Sequence, residues 1–227
     1  MPHRQASAPL PAGAETMEYL LLASLWIFWC SLHSGLIAPS VRGFMEQKLG
    51  RLDRYYRLTY NVFALATLLP VYFYFRSIES IVGFTWQGGW HLLQAILLVV
   101  ALILLAGGAK SYDLPTFLGI RQIKDGTSST ALSTNDELDT AGALGVVRHP
   151  WYLAGILLLW SYRLEYTLAA IITSGILSGY LIIGALLEER KLLVQFGRKY
   201  RRYQQQVSML FPFKRIARAL GRDTKRP

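Results

Sequence analysis

The fold is decided by residues 148–189, which read RHPWYLAGILLLWSYRLEYTLAAIITSGILSGYLIIGALLEE. Within this stretch, the run from Trp151 to Leu187 carries only two charges, Arg163 and Glu165, close to its middle. Because a helix needs about 20 apolar residues to cross the hydrocarbon core of a bilayer, this run is slightly short for two full spans. We therefore expect two helices joined by a tight turn, with the first arm tilted or turning back, and with both ends on one side of the membrane.

Three further apolar runs precede this hairpin, at residues 19–37, 58–75 and 90–109. Each has the length of about one membrane-spanning helix. The chain of 227 residues is 52% hydrophobic and only 17% charged, whereas soluble proteins are about 25% charged. This composition excludes a disordered chain, and the single cysteine, Cys30, excludes a disulfide scaffold. The sequence thus predicts an all-α integral membrane protein with about five transmembrane helices, the last two forming the tight hairpin.

The apolar runs divide the chain into five consecutive parts. We expect a disordered N-terminal tail at 1–16, a three-helix N-terminal membrane half at 17–109 and a cytoplasmic loop at 110–147. The hairpin and an interfacial helix occupy 148–212, and a basic tail occupies 213–227. The first apolar run exceeds the core of about 7–15 residues of a cleaved signal peptide, so we expect it to stay as a membrane anchor.

The positive charges are placed unevenly along the chain. Lys and Arg number 24 against 14 Asp and Glu, a formal net charge of +10, which in a soluble protein favours nucleic acid binding. Here 21 of the 24 lie between the first two apolar runs, between the third and fourth, or after the last, and the exceptions are Arg4, Arg76 and Arg163. Because cytoplasmic segments of inner-membrane proteins are enriched in Lys and Arg, we expect the N-terminus outside and the C-terminus in the cytoplasm. The charge then needs no nucleic acid partner, and we expect the basic tail to lie against the anionic lipid bilayer.

Ionisable groups gather at the predicted cytoplasmic ends of the helices. His149 and Glu188 are one hairpin apart, and His33 lies four residues before the end of the first apolar run, about 6 Å deep. Polar residues near headgroups occur at many helix ends, but that explanation accounts less well for a histidine in the core or for two adjacent glutamates. We therefore expect one shared site on the cytoplasmic side, to which all five helices contribute. Its expected members are His33, Tyr60, Asn61, Lys110, Tyr112, Asp113, Arg148, His149, Tyr152, Glu188 and Glu189.

Pro150 marks the start of the fourth helix, since the first turn of a helix does not need the backbone N–H that proline lacks. Arg148 and His149 immediately precede it, at a position where a helix N-terminus favours an anionic ligand. The alternative at this point is an ordinary N-terminal cap with an arginine that binds lipid headgroups.

Beyond the twin glutamates, apolar residues recur at helical spacing among basic ones. The stripe consists of Leu192, Phe196, Tyr200, Tyr203 and Val207. An apolar stripe on a basic helix is typical of a helix that lies in the membrane interface. We expect such a C-terminal interfacial amphipathic helix here, joined to the last spanning helix at Glu188 and Glu189.

Two motifs together resemble a known family. Arg-His-Pro-x-Tyr at 148–152 and Glu-Glu-x-x-Leu-x-x-x-Phe-Gly-x-x-Tyr-x-x-Tyr at 188–203 are similar to the isoprenylcysteine carboxyl methyltransferase and phospholipid N-methyltransferase superfamily. The resemblance covers residues 145–212. The chain departs from the family pattern at Ser208, where the family usually has proline, and in a polar insertion at 125–142.

The N-terminal half resembles a bacterial branch of that superfamily, which includes methanethiol S-methyltransferases and the NnrU-type proteins associated with denitrification. The residues that carry this similarity are Ser31-x-His33-Ser34, Arg57-x-x-Tyr60-Asn61 and Tyr112-Asp113-Leu114-Pro115-Thr116-Phe117.

The resemblance implies S-adenosylmethionine as cofactor and methyl transfer as the activity. The amino acid end of this cofactor needs a cation for its carboxylate and an anion for its ammonium, for which Arg148 or His149 and Glu188 or Glu189 are the candidates. Aromatic faces suit the adenine and the sulfonium. The implied cofactor-binding residues are Arg148, His149, Pro150, Tyr152, Glu188, Glu189 and Tyr200, and the catalytic candidates, as bases for a thiol acceptor, are His33 and His149.

The acceptor and one rival function stay open at this level. A small thiol, a prenylated or lipid-linked carboxylate and a phospholipid amine all suit an apolar entrance from the bilayer. The rival is a non-catalytic NnrU-like membrane protein that assists a respiratory or denitrification complex. No glycine-rich loop follows a strand, which excludes a Rossmann-type methyltransferase, and the four histidines show no metal-ligand spacing, so we expect no metal.

Overall fold

Ten α-helices and two short β-strands make up the parts of the chain that the computed structural model describes, residues 12–111, 114–125 and 140–221. The helices are α1 (Ala12–Ile37), α2 (Pro39–Leu49), α3 (Tyr56–Ser77), α4 (Trp90–Ser111), α5 (Leu114–Leu118), α6 (Ile120–Asp125), α7 (Pro150–Ser161), α8 (Leu168–Phe196), α9 (Arg198–Gln206) and α10 (Phe213–Ala219). The strands are β1 (Val82–Thr85) and β2 (Glu165–Thr167), and short 3-10 helices cover Gly50–Tyr55 and Gly142–Gly145.

The predicted tail and the predicted loop both contain helices. α1 begins at Ala12, so the last residues of the predicted tail 1–16 are helical, whereas residues 1–11 lie outside the described part of the chain. The predicted loop 110–147 contains α5, α6 and a 3-10 helix. Most of the polar insertion at 125–142 lies outside the described residues.

Four described helical segments are long and apolar enough to cross a membrane: Glu15–Ile37, Pro39–Ser77, Trp90–Ala109 and Leu168–Phe196. They indicate a multi-pass membrane protein. The predicted fourth span is α7, whose 12 residues reach only about 18 Å, too short for a hydrocarbon core of about 30 Å. The prediction of about five spanning helices is therefore confirmed only in part.

At the end of α7, a side chain of another helix binds the carbonyl of the last helical residue, which has no partner within the helix, and one carbonyl of the turn that follows. The side-chain amide of Gln94, buried in α4, donates to the carbonyls of Ser161 and Arg163, both at 2.9 Å. The chain then forms β2, which pairs antiparallel with β1 and places Phe84 opposite Tyr166. A two-stranded sheet therefore stands where the sequence predicted a tight turn, which corrects the all-α prediction.

α7 packs against both α4 and α8, and two glycines let it approach them closely. At Gly108 of α4 a Cβ atom would overlap the indole of Trp151, whose Nε1 donates to the carbonyl of Leu105 at 3.0 Å. At Gly184 of α8 a Cβ atom would lie 3.0 Å from the ring of Tyr152. The first turn of α7 is thus held between two helices, which fixes the loop that precedes it.

The C-terminal segment differs from the single surface helix that the sequence predicted. α8 continues to Phe196 and ends at Gly197, whose positive φ of 52° lets the chain turn into α9. Leu192 and Phe196 therefore belong to α8, whereas Tyr200 and Tyr203 of α9 are buried in the protein. The predicted apolar stripe is divided between two helices, and its tyrosines face the protein interior rather than the membrane interface.

The contact between Gly108 and Trp151 leads to a stability prediction. In the Gly108→Ala variant the indole has to move, and overpacking of this kind costs about 1–3 kcal/mol. We expect a lower midpoint of thermal unfolding in detergent than for the wild type. The matched control is Gly179→Ala, a glycine of α8 with nothing within 4 Å of its Cβ position, which should keep or raise the midpoint. Equal midpoints for the two variants would show that α4 and α7 do not pack in this way.

Candidate functional site

A buried carboxylate, that of Glu189, lies where α7, α8 and α9 meet, and the residue is 7% exposed. Arg148 binds this carboxylate through two nitrogens: Nε donates to Oε1 and Nη2 donates to Oε2, both at 2.8 Å. The Nε2 atom of His149 also lies 2.8 Å from Oε1. Both side chains come from the loop just before α7, which therefore supplies the positive charge that a buried carboxylate needs.

α9 supplies further donors to the same carboxylate. The hydroxyl of the buried Tyr200 donates to Oε1 at 2.6 Å, and the side-chain amide of Gln204 donates to Oε2. We call these five residues the Glu189 cluster: Arg148, His149, Glu189, Tyr200 and Gln204. Their donors occupy both oxygens of Glu189, so this carboxylate has little capacity left to bind a ligand.

Backbone pairing fixes the loop that carries Arg148 and His149. The backbone N–H of Arg148 donates to the carbonyl of Ser208 at 2.9 Å, and that of His149 donates to the carbonyl of Met209 at 3.1 Å. The guanidinium of Arg148 also donates through Nη1 to the carbonyl of Val207. Ser208 takes part in this hydrogen bond through its backbone carbonyl, and proline also has a backbone carbonyl. The departure from the family pattern at this position therefore leaves the hydrogen bond from Arg148 in place.

His149 lies between two carboxylates. Its Nε2 contacts Glu189, and its Nδ1 lies 3.5 Å from Oε2 of Glu188. Burial alone would lower the pKa of His149, but the two carboxylates outweigh burial and raise its pKa above the usual value of about 6.5. Burial and the hydrogen bond to Glu189 also raise the pKa of Tyr200, which keeps its phenol protonated as a donor. With His149 as an imidazolium, two positive and two negative side chains balance one another here.

The two adjacent glutamates have different surroundings. Glu188 keeps 18% of its side chain exposed and, among the described residues, its carboxylate pairs only with His149. Because successive helix residues point about 100° apart, Glu189 enters the cluster while Glu188 faces its edge. The Nδ1 atom of His149 is buried with no hydrogen-bond partner in the described part of the chain. The edge of the cluster thus combines an accessible carboxylate with an imidazole nitrogen that has no hydrogen bond.

The structure brings all seven predicted cofactor-binding residues to one end of the bundle. Pro150 is the buried first residue of α7, and Tyr152 lies edge-on to His149 with 5.4 Å between ring centres. Arg148 and Glu189 bind each other, with 2.8 Å between Nη2 and Oε2. Glu188 keeps part of its side chain exposed, whereas His149 is buried and pairs with it.

His33, the other catalytic candidate, lies outside the Glu189 cluster. It stacks on Trp29 within α1 with 4.9 Å between ring centres, and the hydroxyl of Tyr60 lies within 2.9 Å of both ring nitrogens. Tyr180 of α8 lies edge-on to His33 at 6.2 Å and accepts a hydrogen bond from Ser34. The two predicted catalytic histidines therefore belong to separate clusters.

Sequence reasoning missed Gln204. This residue follows Tyr200 by about one helical turn and shares its face of α9, so the two side chains reach the same carboxylate. The spacing of four residues after a predicted site tyrosine was the signal that could have identified it.

Two motifs of the N-terminal half contact each other. Arg57 donates through Nε to the carbonyl of Phe117 at 3.2 Å, and the side-chain amide of Asn61 donates to the same carbonyl at 3.3 Å. The ring of Phe117 lies edge-on to Trp151 with 5.9 Å between ring centres. The motifs thus meet beside the first turn of α7, while residues 112–113 lie outside the described part of the chain.

The chemistry available at the cluster edge is that of charged and aromatic side chains. Within residues 12–111, 114–125 and 140–221, no group of three or more His, Cys, Asp or Glu is placed to hold a metal ion. The edge instead offers the anion of Glu188, the cation of His149 and the ring of Tyr152. These groups suit a ligand that carries an ammonium, a carboxylate and a further positive charge.

Four long apolar helices and a charged cluster at one end define a multi-pass helical membrane protein with a candidate ligand site. Residues 20–221 match the family model described as NnrU protein. The chain belongs to the NnrU family.

The chain is also similar to proteins named methanethiol S-methyltransferase. Methanethiol S-methyltransferase 1 of Bradyrhizobium diazoefficiens is 28% identical over 70% of this chain and 55% of its own length. The protein of that name from Pseudomonas deceptionensis is 29% identical over 69% of this chain and 59% of its own length. Methanethiol S-methyltransferase 2 of Bradyrhizobium diazoefficiens is 26% identical over 97% of this chain and 82% of its own length.

This chain therefore spans little more than half the length of the first two relatives. No solved structure matches it. The family and the relatives confirm the resemblance to the bacterial branch that includes methanethiol S-methyltransferases and NnrU-type proteins.

The raised pKa of His149 predicts a pH dependence of stability. The imidazolium faces Glu188 and Glu189, and Arg148 and Tyr200 bind the same oxygen of Glu189. The pKa of His149 is therefore higher in the folded than in the unfolded chain. Its contribution to stability is therefore complete below about pH 6.5 and is lost as the pH rises through the raised pKa. We expect the gap in thermal midpoint between the wild type and His149→Gln to shrink from about pH 6 to about pH 9.

The matched control for this titration is His91→Gln, at an exposed position near the start of α4, which should follow the wild type at every pH. A gap for His149→Gln that stays constant or widens with pH would contradict the imidazolium assignment.

Proposed function

We propose that this protein is a membrane methyltransferase that uses S-adenosylmethionine and methylates a small thiol. The relatives named methanethiol S-methyltransferase and the four long apolar helices support this proposal. The observation that carries it is the pair formed by the partly exposed Glu188 carboxylate and Nδ1 of His149, 3.5 Å apart at the edge of a buried cluster.

Glu188 and His149 are the residues that would hold the amino acid end of the cofactor. The carboxylate of Glu188 would bind the ammonium group of the cofactor. The N–H at Nδ1 of the His149 imidazolium would donate to the carboxylate of the cofactor, and both contacts would be charge-assisted hydrogen bonds. The ring of Tyr152 offers an aromatic face to the sulfonium. The other members of the Glu189 cluster hold His149 in position and do not bind the ligand themselves.

S-adenosylmethionine supplies, when bound, a methyl group that is activated by its attachment to a sulfonium sulfur. Transfer of that group is an in-line displacement, which depends on alignment and on exclusion of water rather than on a covalent protein intermediate. The chain provides alignment through side chains fixed by backbone pairing at Arg148 and His149. Burial of His149 and Tyr200 keeps water away from the charged side of the site.

We infer an inner-membrane location with the N-terminus outside and the C-terminus in the cytoplasm. The support is the placement of 21 of the 24 Lys and Arg residues in three segments that lie on the same side under this topology. The Glu189 cluster then lies at the cytoplasmic face, and the acceptor reaches it from the bilayer. The basic helices α9 and α10 lie against anionic lipid.

Titration of the detergent-purified protein with S-adenosylmethionine by calorimetry tests this proposal. We expect saturable binding by the wild type and a loss of about tenfold or more in affinity for Glu188→Gln, since a charge-assisted hydrogen bond contributes about 1.5–3 kcal/mol. The matched control is Glu165→Gln, at an exposed position of β2, which should bind as the wild type does.

Wild-type protein that shows no saturable binding would contradict the proposal and favour the alternative, a non-catalytic NnrU-like protein that assists a respiratory or denitrification complex. Where binding is seen, a labelled methyl donor offered with methanethiol, a prenylcysteine and a phospholipid amine identifies the acceptor. We expect label in the thioether product, and label in the lipid amine alone would refute the thiol assignment.

A further inference from the structure

A second polar cluster lies within the membrane-spanning helices. It consists of His33 and Ser34 from α1, Tyr60 from α3 and Tyr180 from α8, with Trp29 as one wall, and we call it the His33 cluster. Polar side chains inside apolar spans are costly and commonly mark functional sites. Their convergence from three helices therefore needs a reason beyond packing.

The hydrogen bonds of His33 leave one ring nitrogen available. The hydroxyl of Tyr60 lies 2.8 Å from Nε2 and 2.9 Å from Nδ1, and it also lies 3.2 Å from the carbonyl of His33. A neutral imidazole has one donor and one acceptor nitrogen, and a hydroxyl has only one proton to donate. Because the Tyr60 hydroxyl donates that proton to the His33 carbonyl, it accepts from the N–H nitrogen of the ring and leaves the lone pair of the other nitrogen without a donor. No other described side chain forms a hydrogen bond with this ring, and His33 is only half-buried.

The His33 cluster and the Glu188 carboxylate lie on the same side of α8. Tyr180, Gly184 and Glu188 recur every four residues, and the ring of Tyr152 lies over Gly184, between the other two. Tyr180 and Glu188 are separated by about 12 Å along the helix axis. A ligand held at Glu188 and a second ligand held at His33 would therefore both lie near the ring of Tyr152.

We propose that the His33 cluster is the acceptor site, in which His33 takes the proton of a small thiol while Tyr60 orients the imidazole. This proposal rests on the proposed function and identifies the second half of the same site. Imidazole is suited to the task because it accepts and releases protons near neutral pH.

The proton and electron balance of this step is complete. The S–H bond of the thiol breaks, its proton goes to the free nitrogen of His33, and its electron pair stays on sulfur. The resulting thiolate forms a new S–CH3 bond with the methyl group of the sulfonium donor, whose C–S bonding pair returns to the donor sulfur. The proton on His33 then leaves to water, which restores the neutral imidazole.

The walls of the cluster favour a small acceptor. Trp29 covers one face of His33, with 4.9 Å between ring centres, so the acceptor approaches the ring edge. A base also distinguishes among acceptors, because a carboxylate is already deprotonated at neutral pH whereas an alkyl thiol is not. The His33 cluster therefore favours a small thiol over a prenylated carboxylate.

Two thiols of different acidity test the role of His33. An alkyl thiol needs a base at neutral pH, whereas an aryl thiol is already largely a thiolate. For His33→Gln we expect kcat/KM to fall about 100-fold or more with ethanethiol and about threefold or less with thiophenol. S-adenosylmethionine affinity should be unchanged, and His91→Gln is the matched control that should retain both activities.

Tyr60→Phe provides a second variant that keeps the aromatic packing. For this variant kcat/KM should fall more with ethanethiol than with thiophenol, but by a smaller factor than in His33→Gln. The reason is that Tyr60 positions the imidazole and does not take the proton. Equal losses with both thiols, or none with either, in a protein that binds S-adenosylmethionine and methylates thiols, would overturn the role of His33 and leave the proposed function standing.

A measurement without cofactor tests the location of the acceptor. Because Trp29 stacks on His33, binding of ethanethiol to the cofactor-free protein should change tryptophan fluorescence in a saturable way. The change should vanish in Trp29→Phe and require severalfold more thiol in His33→Gln. A response that persists in Trp29→Phe, or no response from the wild type, would show that the thiol does not bind in the His33 cluster.

Discussion

The rest of this structure depends on the burial of one carboxylate, that of Glu189. An ion that leaves water is tolerated only when an opposite charge and hydrogen bonds replace the lost hydration. Here the replacements come from the loop before α7 and from α9, so both segments have to meet the end of α8 at one point. The turn at Gly197 brings α9 back to that point, and the pairing between Arg148 and Ser208 holds the loop there.

Because this carboxylate is fully bonded, the chain separates a structural role from a binding role within two adjacent residues. Glu189 organises the cluster, while Glu188 lies at its edge, 3.5 Å from the buried Nδ1 of His149. Rigid surroundings reduce the entropy that a ligand would otherwise lose in ordering its site. The same helix continues to Tyr180, so α8 connects the proposed cofactor site with the proposed acceptor site.

The sequence predicts that four charged residues lie close together: Arg148, His149, Glu188 and Glu189. They flank an apolar run with charges only in its middle, and such a run forms a hairpin whose two ends lie on one side of the membrane. The individual hydrogen bonds and ion pairs among these residues could not be predicted. Spacing along the sequence gives the position of a residue, but it does not show which donor binds which acceptor. The strands β1 and β2 are too short to show alternation. The end of α8 at Gly197 was not predicted, because apolar residues recur at helical spacing on both sides of this glycine. The positive φ of Gly197 does not change the spacing of apolar residues.

A double-mutant cycle between Arg148 and Glu189 tests most directly whether this ion pair organises the site. The thermal midpoint and unfolding free energy would be measured for Arg148→Gln, Glu189→Gln and the double variant in the same detergent. Arg148→Gln leaves Glu189 with His149 as its remaining counter-ion, and Glu189→Gln leaves Arg148 buried without a carboxylate. Each single variant should cost up to about 3–5 kcal/mol, and the double variant should lose no more than either one alone. Losses that simply add would mean that the two side chains are independent, which would contradict the account.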